Sequence, residues 1–146
     1  MKILKLFPAD PFLAPDEVTC ARIVDHIVSL FPDREVDDGL SPLPQFIDCG
    51  DSLERVVCPL CGAELDSEDW ACLMDSQYGE YGFDSLDVTV PCCGGVTTLD
   101  KLMYEADCGF ACFEIDVIEP RAIPKGLTEE LNKRFGIPFR SIITKI

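Results

Sequence analysis

Two short turns, Cys58-Pro59-Leu60-Cys61-Gly62 and Pro91-Cys92-Cys93-Gly94-Gly95, restrict what this chain can fold into more than any other feature. The two residues between Cys58 and Cys61 let both sulfurs wrap onto one tetrahedral metal. Pro59 stiffens the turn where no N–H is needed. Gly62 supplies the left-handed conformation that follows the second cysteine. With a second cysteine cluster downstream, this spacing reads as a zinc site. Buried free thiols would also explain cysteines, which pack as small hydrophobes. That suits Cys20, Cys49 and Cys72, which sit in apolar stretches, but not Cys58 and Cys61, which proline and glycine flank. Four sulfurs from Cys58, Cys61, Cys92 and Cys93 would close the coordination sphere, as structural zinc requires, whereas catalytic zinc keeps a position open. No H-x-E or H-E-x-x-H pattern occurs, and His26 is the only histidine.

The two turns and their flanking strands, roughly residues 55–98, resemble the zinc-ribbon (rubredoxin-type knuckle) superfamily. There the second knuckle is usually C-x-x-C-G. Cys93-Gly94 match its second cysteine and glycine, while its first cysteine would fall at Val90. The resemblance therefore carries Cys58, Cys61 and Cys93 over directly. The adjacent Cys92 is the expected fourth ligand, with Cys72, Cys108, Cys112 and His26 competing for that place.

A chain of 146 residues suffices for one domain, expected over 1–146 with the knuckle region at about 55–98 and an acidic insert at 63–90. No signal peptide is evident, because only a few apolar residues follow Lys2 and Lys5 before Pro8. No apolar run approaches membrane-spanning length. With nine cysteines, an odd number, the expectation is a cytoplasmic chain with reduced thiols.

Net charge is −15, unevenly spread. Residues 1–57 carry 11 acidic and 5 basic side chains, residues 58–119 carry 14 and 1, and residues 120–146 carry 2 and 6. Many zinc ribbons bind nucleic acid, but phosphate binding needs a basic footprint. Lys101 is the only basic residue between 58 and 119, so nucleic acid is not an expected partner. An acidic surface favours a basic protein partner instead, although acidity also serves solubility alone.

Hydrophobic periodicity predicts an α+β fold: a small mixed or antiparallel sheet, two main helices and the embedded knuckle pair. Residues 2–7 read as a first strand. Val18, Ala21, Val24, Ile27 and Val28 recur at helical spacing over 15–31, ended by Pro32. Residues 33–44 are polar and proline-broken and read as a loop. Short strands are expected at 45–48, 55–57, 86–90 and 96–98, with a turn or a single helical turn at 100–105. A short helix over 67–74 has Ser67 or Asp66 as cap and Trp70, Leu73 and Met74 inward. Alternation makes 110–118 the clearest strand. A helix starting near Thr128 ends at Gly136, and a last strand covers 139–146.

Residues 77–84 combine Tyr78, Tyr81 and Phe83 with acids, which suits protein recognition or a loop tucked onto the core. The candidate partner-binding residues are Glu68, Asp69, Tyr78, Glu80, Tyr81 and Asp84. Glu114 and Asp116 share one strand face and could support paired-carboxylate chemistry, but acids on an alternating strand usually face solvent. Cys108 and Cys112 read as small core residues.

The favoured functional expectation is a non-enzymatic binding protein, stapled by structural zinc, whose acidic centre docks a basic protein. A small acidic bacterial immunity protein neutralising a toxic nuclease is an analogy in size and charge only. The alternatives are an enzyme with a cleft beside the zinc, using Glu114, Asp116 or a spare cysteine, and a thiol-based metal or redox sensor. Structural zinc contributes on the order of 10 kcal/mol of apparent binding free energy in small domains. Cys61→Ser is therefore expected to lower the melting temperature steeply and to abolish its response to chelator, whereas Cys20→Ser behaves as an ordinary core change. Thermal melts of both variants with and without chelator check this.

Overall fold

The computed structural model describes residues 1–48 and 54–145. An antiparallel four-stranded sheet is formed by β1 (Lys2–Pro8), β2 (Val36–Ile47), β8 (Gly109–Ile118) and β9 (Phe139–Lys145) in the order β2-β8-β1-β9. Alternation sends Leu4 and Leu6 of β1 and Phe113, Ile115 and Val117 of β8 to one face. There they meet α1 (Glu17–Leu30) and α3 (Leu127–Phe135). The resulting core includes Cys20, Ile23, Ile27, Phe31, Leu127, Leu131 and Phe139. Each such large side chain taken from water contributes about 1.5–3 kcal/mol.

α1 starts at an Asp16 N-cap, whose carboxylate accepts the Thr19 N–H at 2.7 Å. Its inward stripe is shifted from the one expected. Cys20, Ile23 and Ile27 are buried, while Val18 and Val28 are exposed. The set 20, 23, 27, 31 keeps three- and four-residue spacing while burying two isoleucines and Phe31. His26 leaves the metal question: it pairs with Glu130 of α3 at 3.0 Å and ties the two helices together. The cap of α3 is Gly126 in the left-handed conformation, not Thr128, which lies inside the helix; Gly136 ends it, as expected.

Residues 36–44 are strand, where a loop was expected. β2 lies at the sheet edge and bonds only to β8, so proline costs little there. The register shifts between Leu40 and Gln45, and Pro42 and Pro44 fall within that irregularity.

The second layer consists of small antiparallel pieces. β3 (Val56–Val57) sits between β4 (Glu64–Leu65) and β7 (Met103–Tyr104), while β5 (Asp87–Thr89) and β6 (Val96–Thr98) form a hairpin. α2 (Ser67–Gln77) follows β4, capped by Asp66. A 3-10 turn at Leu99–Lys101 leads into β7, a strand that was not anticipated in the 100–105 turn.

This layer has its own core, including Val56, Cys58, Leu65, Phe83, Leu86, Val88, Val90, Leu99 and Leu102, with Trp70, Leu73 and Met74 packed against it. Phe110 of β8 and Phe46 of β2 join it to the main sheet. Phe46 meets Phe110 at 5.3 Å, Trp70 at 5.7 Å and Tyr104 at 6.4 Å between ring centroids. Tyr104 donates to the Leu99 carbonyl at 2.8 Å and accepts the Trp70 N–H at 3.3 Å. Both knuckles therefore grow from one aromatic base.

Candidate metal centre

The first knuckle joins β3 to β4, and the second joins β5 to β6. The Cys58 N–H donates to Ala63 O at 2.9 Å and the Gly62 N–H to Cys58 O at 2.9 Å. In the second turn the Val90 N–H donates to Gly95 O and the Gly94 N–H to Val90 O, both at 2.9 Å. Gly62 and Gly94 have φ of 78° and 69°, a region that favours glycine. The two backbones thus repeat each other, with Cys58 matching Val90, Pro59 matching Pro91, and Cys61 matching Cys93.

Cys92 consequently occupies the place of Leu60, and its thiol replaces the one that Val90 lacks. Cys58 and Val90 are both fully buried in the second core. The four sulfurs of Cys58, Cys61, Cys92 and Cys93 lie within 4.8 Å of one another. Leu60 reaches across to the other knuckle: a Cβ on Gly95 would come 2.5 Å from its Cδ1.

This donor set fits a metal. A tetrahedral centre with metal–sulfur bonds of about 2.3 Å sets sulfur–sulfur separations of roughly 3.8 Å, within the observed spread. The Leu60 N–H points at Cys58 Sγ at 3.4 Å. Burial raises the Cys58 pKa, but the N–H groups of Cys61 and Leu60, with the neighbouring thiols, outweigh it and lower the value to about 7. Cys92 is pushed up to about 12 by lost hydration and by the Cys61 and Cys58 thiols. At Cys93 the Gly95 N–H lowers the pKa, yet lost hydration and the same two neighbours raise it overall. Ionised Cys58 therefore works against ionisation of Cys92 and Cys93 unless a cation replaces their protons. The group is able to hold one metal ion.

The competing ligands lie elsewhere. Cys72 is exposed on α2, against the expectation of a buried thiol. Cys20, Cys108 and Cys112 are buried, as expected; Cys112 donates to Pro11 O at 3.4 Å. Cys49 lies outside the described residues.

The candidate partner residues fall into two groups along α2. Glu68 and Asp69 open α2, while Tyr78, Glu80, Tyr81 and Asp84 follow its far end. At about 1.5 Å per residue the two groups stand at opposite ends of an 11-residue helix. Tyr78 packs edge-on against Phe83, donates to Gln45 Oε1 at 2.8 Å and is still half-exposed; Tyr81 projects outward. The stretch is thus both tucked and presented.

Glu114 and Asp116 depart most from expectation, because both are partly buried rather than fully exposed on the strand face. They line a cavity of about 280 Å³ with Asp37, Asp38, Gln45 and Cys112. The second face of the main sheet places Lys5 across from Asp116. Burial first, then the facing Asp116 carboxyl, pushes Glu114 up to about 8, against the pull of Lys5. One Asp116 carboxylate oxygen is buried without a hydrogen-bond partner. No lining residue belongs to either knuckle. The signal was long-range: β2 and Lys5 create the environment, and the local alternation of β8 cannot reveal it.

Compared with protein-family models, curated proteins and solved structures, the chain matches none.

If Val90 truly matches Cys58, the double change Val90→Cys with Cys92→Ser keeps one metal ion per chain, whereas Cys93→Ser weakens binding by more than about tenfold. Competition titration with a chromophoric chelator measures both, and a metal-free double variant contradicts the match. The raised Glu114 pKa has a defined sign. Its contribution is full below its ordinary pKa of 4.5 and is lost as pH rises through about 8. Melts of wild type and Glu114→Gln across that range should therefore show the variant gaining relative stability as pH rises. A constant difference contradicts the assigned titration.

Proposed function

We propose that this chain is a non-catalytic binding protein of zinc-ribbon type, in which a structural zinc ion joins the two knuckles and an acidic face docks a basic protein. Zinc is the ion best suited to four thiolates that close a tetrahedral site. One observation carries the docking reading. The exposed surface around α2 is acidic without compensation. The helix has no buried residue, and it presents Glu68, Asp69 and Asp75. Glu80 and Asp84 extend the acidic surface beyond it. No acidic side chain between 64 and 87 is in an ion pair among the described residues. No lysine or arginine occurs between Arg55 and Lys101.

Such a face stores like-charge repulsion that a cationic partner relieves. Tyr78 and Tyr81, 52% and 61% exposed, supply the amphipathic contact area that interfaces favour. An inhibitor of a basic enzyme, in the manner of an immunity protein, has this character. No described helix is long and apolar enough to cross a membrane. Cys20, Cys72 and Cys112 carry free thiols away from the metal centre, and that supports a reducing compartment, the cytoplasm.

Glu114 favours one alternative, an enzyme using a protonated carboxyl as general acid in the sheet cavity. It differs from the cleft beside the zinc that the sequence suggested, since the cavity lining excludes both knuckles.

Affinity capture from the native cell with the metal-loaded chain is expected to retain a basic protein at about 50 mM salt and to weaken steeply toward about 500 mM. Reversal of Glu68, Asp69 and Glu80 to lysine should cut that retention at least tenfold and leave the melting temperature within a few degrees. Absence of any basic protein at low salt contradicts the docking reading.

A further inference from the structure

The two knuckles differ where Cys58 and Leu60 of the first are Val90 and Cys92 of the second, with a chemical consequence. The buried position that Cys58 fills in the first turn is Val90 in the second, so the fourth thiol stands on the exposed rim at Cys92. Cys61, Cys92 and Cys93 are exposed, and Cys58 alone is buried. Cys61 Sγ and Cys92 Sγ lie 3.4 Å apart. No charged residue occurs in 56–63 or 88–99, so a small neutral reagent meets no local charge at the turns.

We propose that Cys61 and Cys92 form an oxidation site, at which a peroxide converts the pair to a disulfide and opens the metal centre. The proposal rests on the metal reading above. One thiolate of the pair attacks a peroxide oxygen, the O–O bond breaks, and hydroxide leaves to take a proton from solvent. The sulfur, oxidised by two electrons, is now a sulfenic acid. The second thiolate attacks that sulfur, the S–S bond forms, and a second hydroxide leaves and is protonated. Two thiolates, one peroxide and two protons thus yield one disulfide and two waters. With two of four ligands consumed, the ion is lost.

Geometry favours this pair over the others. A Cys92–Cys93 link would close a ring across a single peptide bond and strain it. Cys58 is fully buried, and its sulfur accepts the Leu60 N–H. A Cys61–Cys92 link needs its sulfurs to move from 3.4 Å to about 2.05 Å. It also spans the two knuckles, so the covalent bond takes over the tie that the metal made. Oxidised, metal-free protein should keep most of its thermal stability. A link within one knuckle would not preserve it.

The test uses the full metal-loaded chain, treated with hydrogen peroxide and a chromophoric zinc chelator, followed by peptide mapping and thermal melts. The expected result is release of one metal ion per chain together with a Cys61–Cys92 peptide cross-link, both reversed by a thiol reductant. The oxidised protein should melt closer to the metal-loaded form than to the reduced, metal-stripped form. Cys72→Ser should change none of this, and Cys92→Ser should abolish the cross-link. Metal retained under peroxide, or a link mapped to Cys58–Cys61 or Cys92–Cys93, overturns the proposal and leaves the metal reading standing. A reduced wild-type chain that binds no metal at the outset overturns the metal reading, and the proposal with it.

Discussion

Four sulfurs crowded within 4.8 Å, on two turns separated by residues 63–90, set the terms for the rest of the molecule. Without a cation, ionised Cys58 works against ionisation of Cys92 and Cys93, and the cluster offers little cohesion. A divalent ion reverses that balance. It draws the turn between β3 and β4 onto the turn between β5 and β6. Between them the chain carries α2, whose partly buried Trp70, Leu73 and Met74 lie against the second core. The short strands of that layer, most of only two or three residues, supply few ladder hydrogen bonds. The aromatic base on Phe46 and Phe110 holds the roots of the knuckles, and the metal would hold their tips.

The acidic surface belongs to the same arrangement. α2 makes limited apolar contact and faces outward with carboxylates in no ion pair among the described residues. A metal ion held by the four thiols would tie both ends of the insert. The insert can then present a strongly negative face without coming apart.

Much of the site was legible in the sequence because turn chemistry is local. Pro59, Gly62 and Gly94 mark the knuckles, the spacing of Cys58 and Cys61 pairs two ligands, and the resemblance to zinc ribbons adds Cys93. Cys92 was a weaker reading, since the usual template puts a cysteine where Val90 stands. The structure explains the change: Val90 fills the core position, and Cys92 brings its thiol in from the neighbouring step of the turn. The antiparallel sheet and all three helices were also readable from periodicity and caps. β2 was not, because Pro42 and Pro44 suggest a loop unless the segment is known to lie at a sheet edge. Glu114 was misread for a similar reason. Its burial comes from β2 and β1, segments distant in sequence, whereas the alternation of β8 alone resembles a solvated face.

The central claim concerns the coordination of a single ion by this chain's own thiolates. X-ray absorption at the zinc edge of the protein isolated from its native cell tests it most directly. Four sulfur neighbours at about 2.3 Å, with no nitrogen or oxygen in the shell, are predicted. A shell of mixed light atoms, or a preparation that carries no zinc and loses no heat resistance for lacking it, contradicts the account.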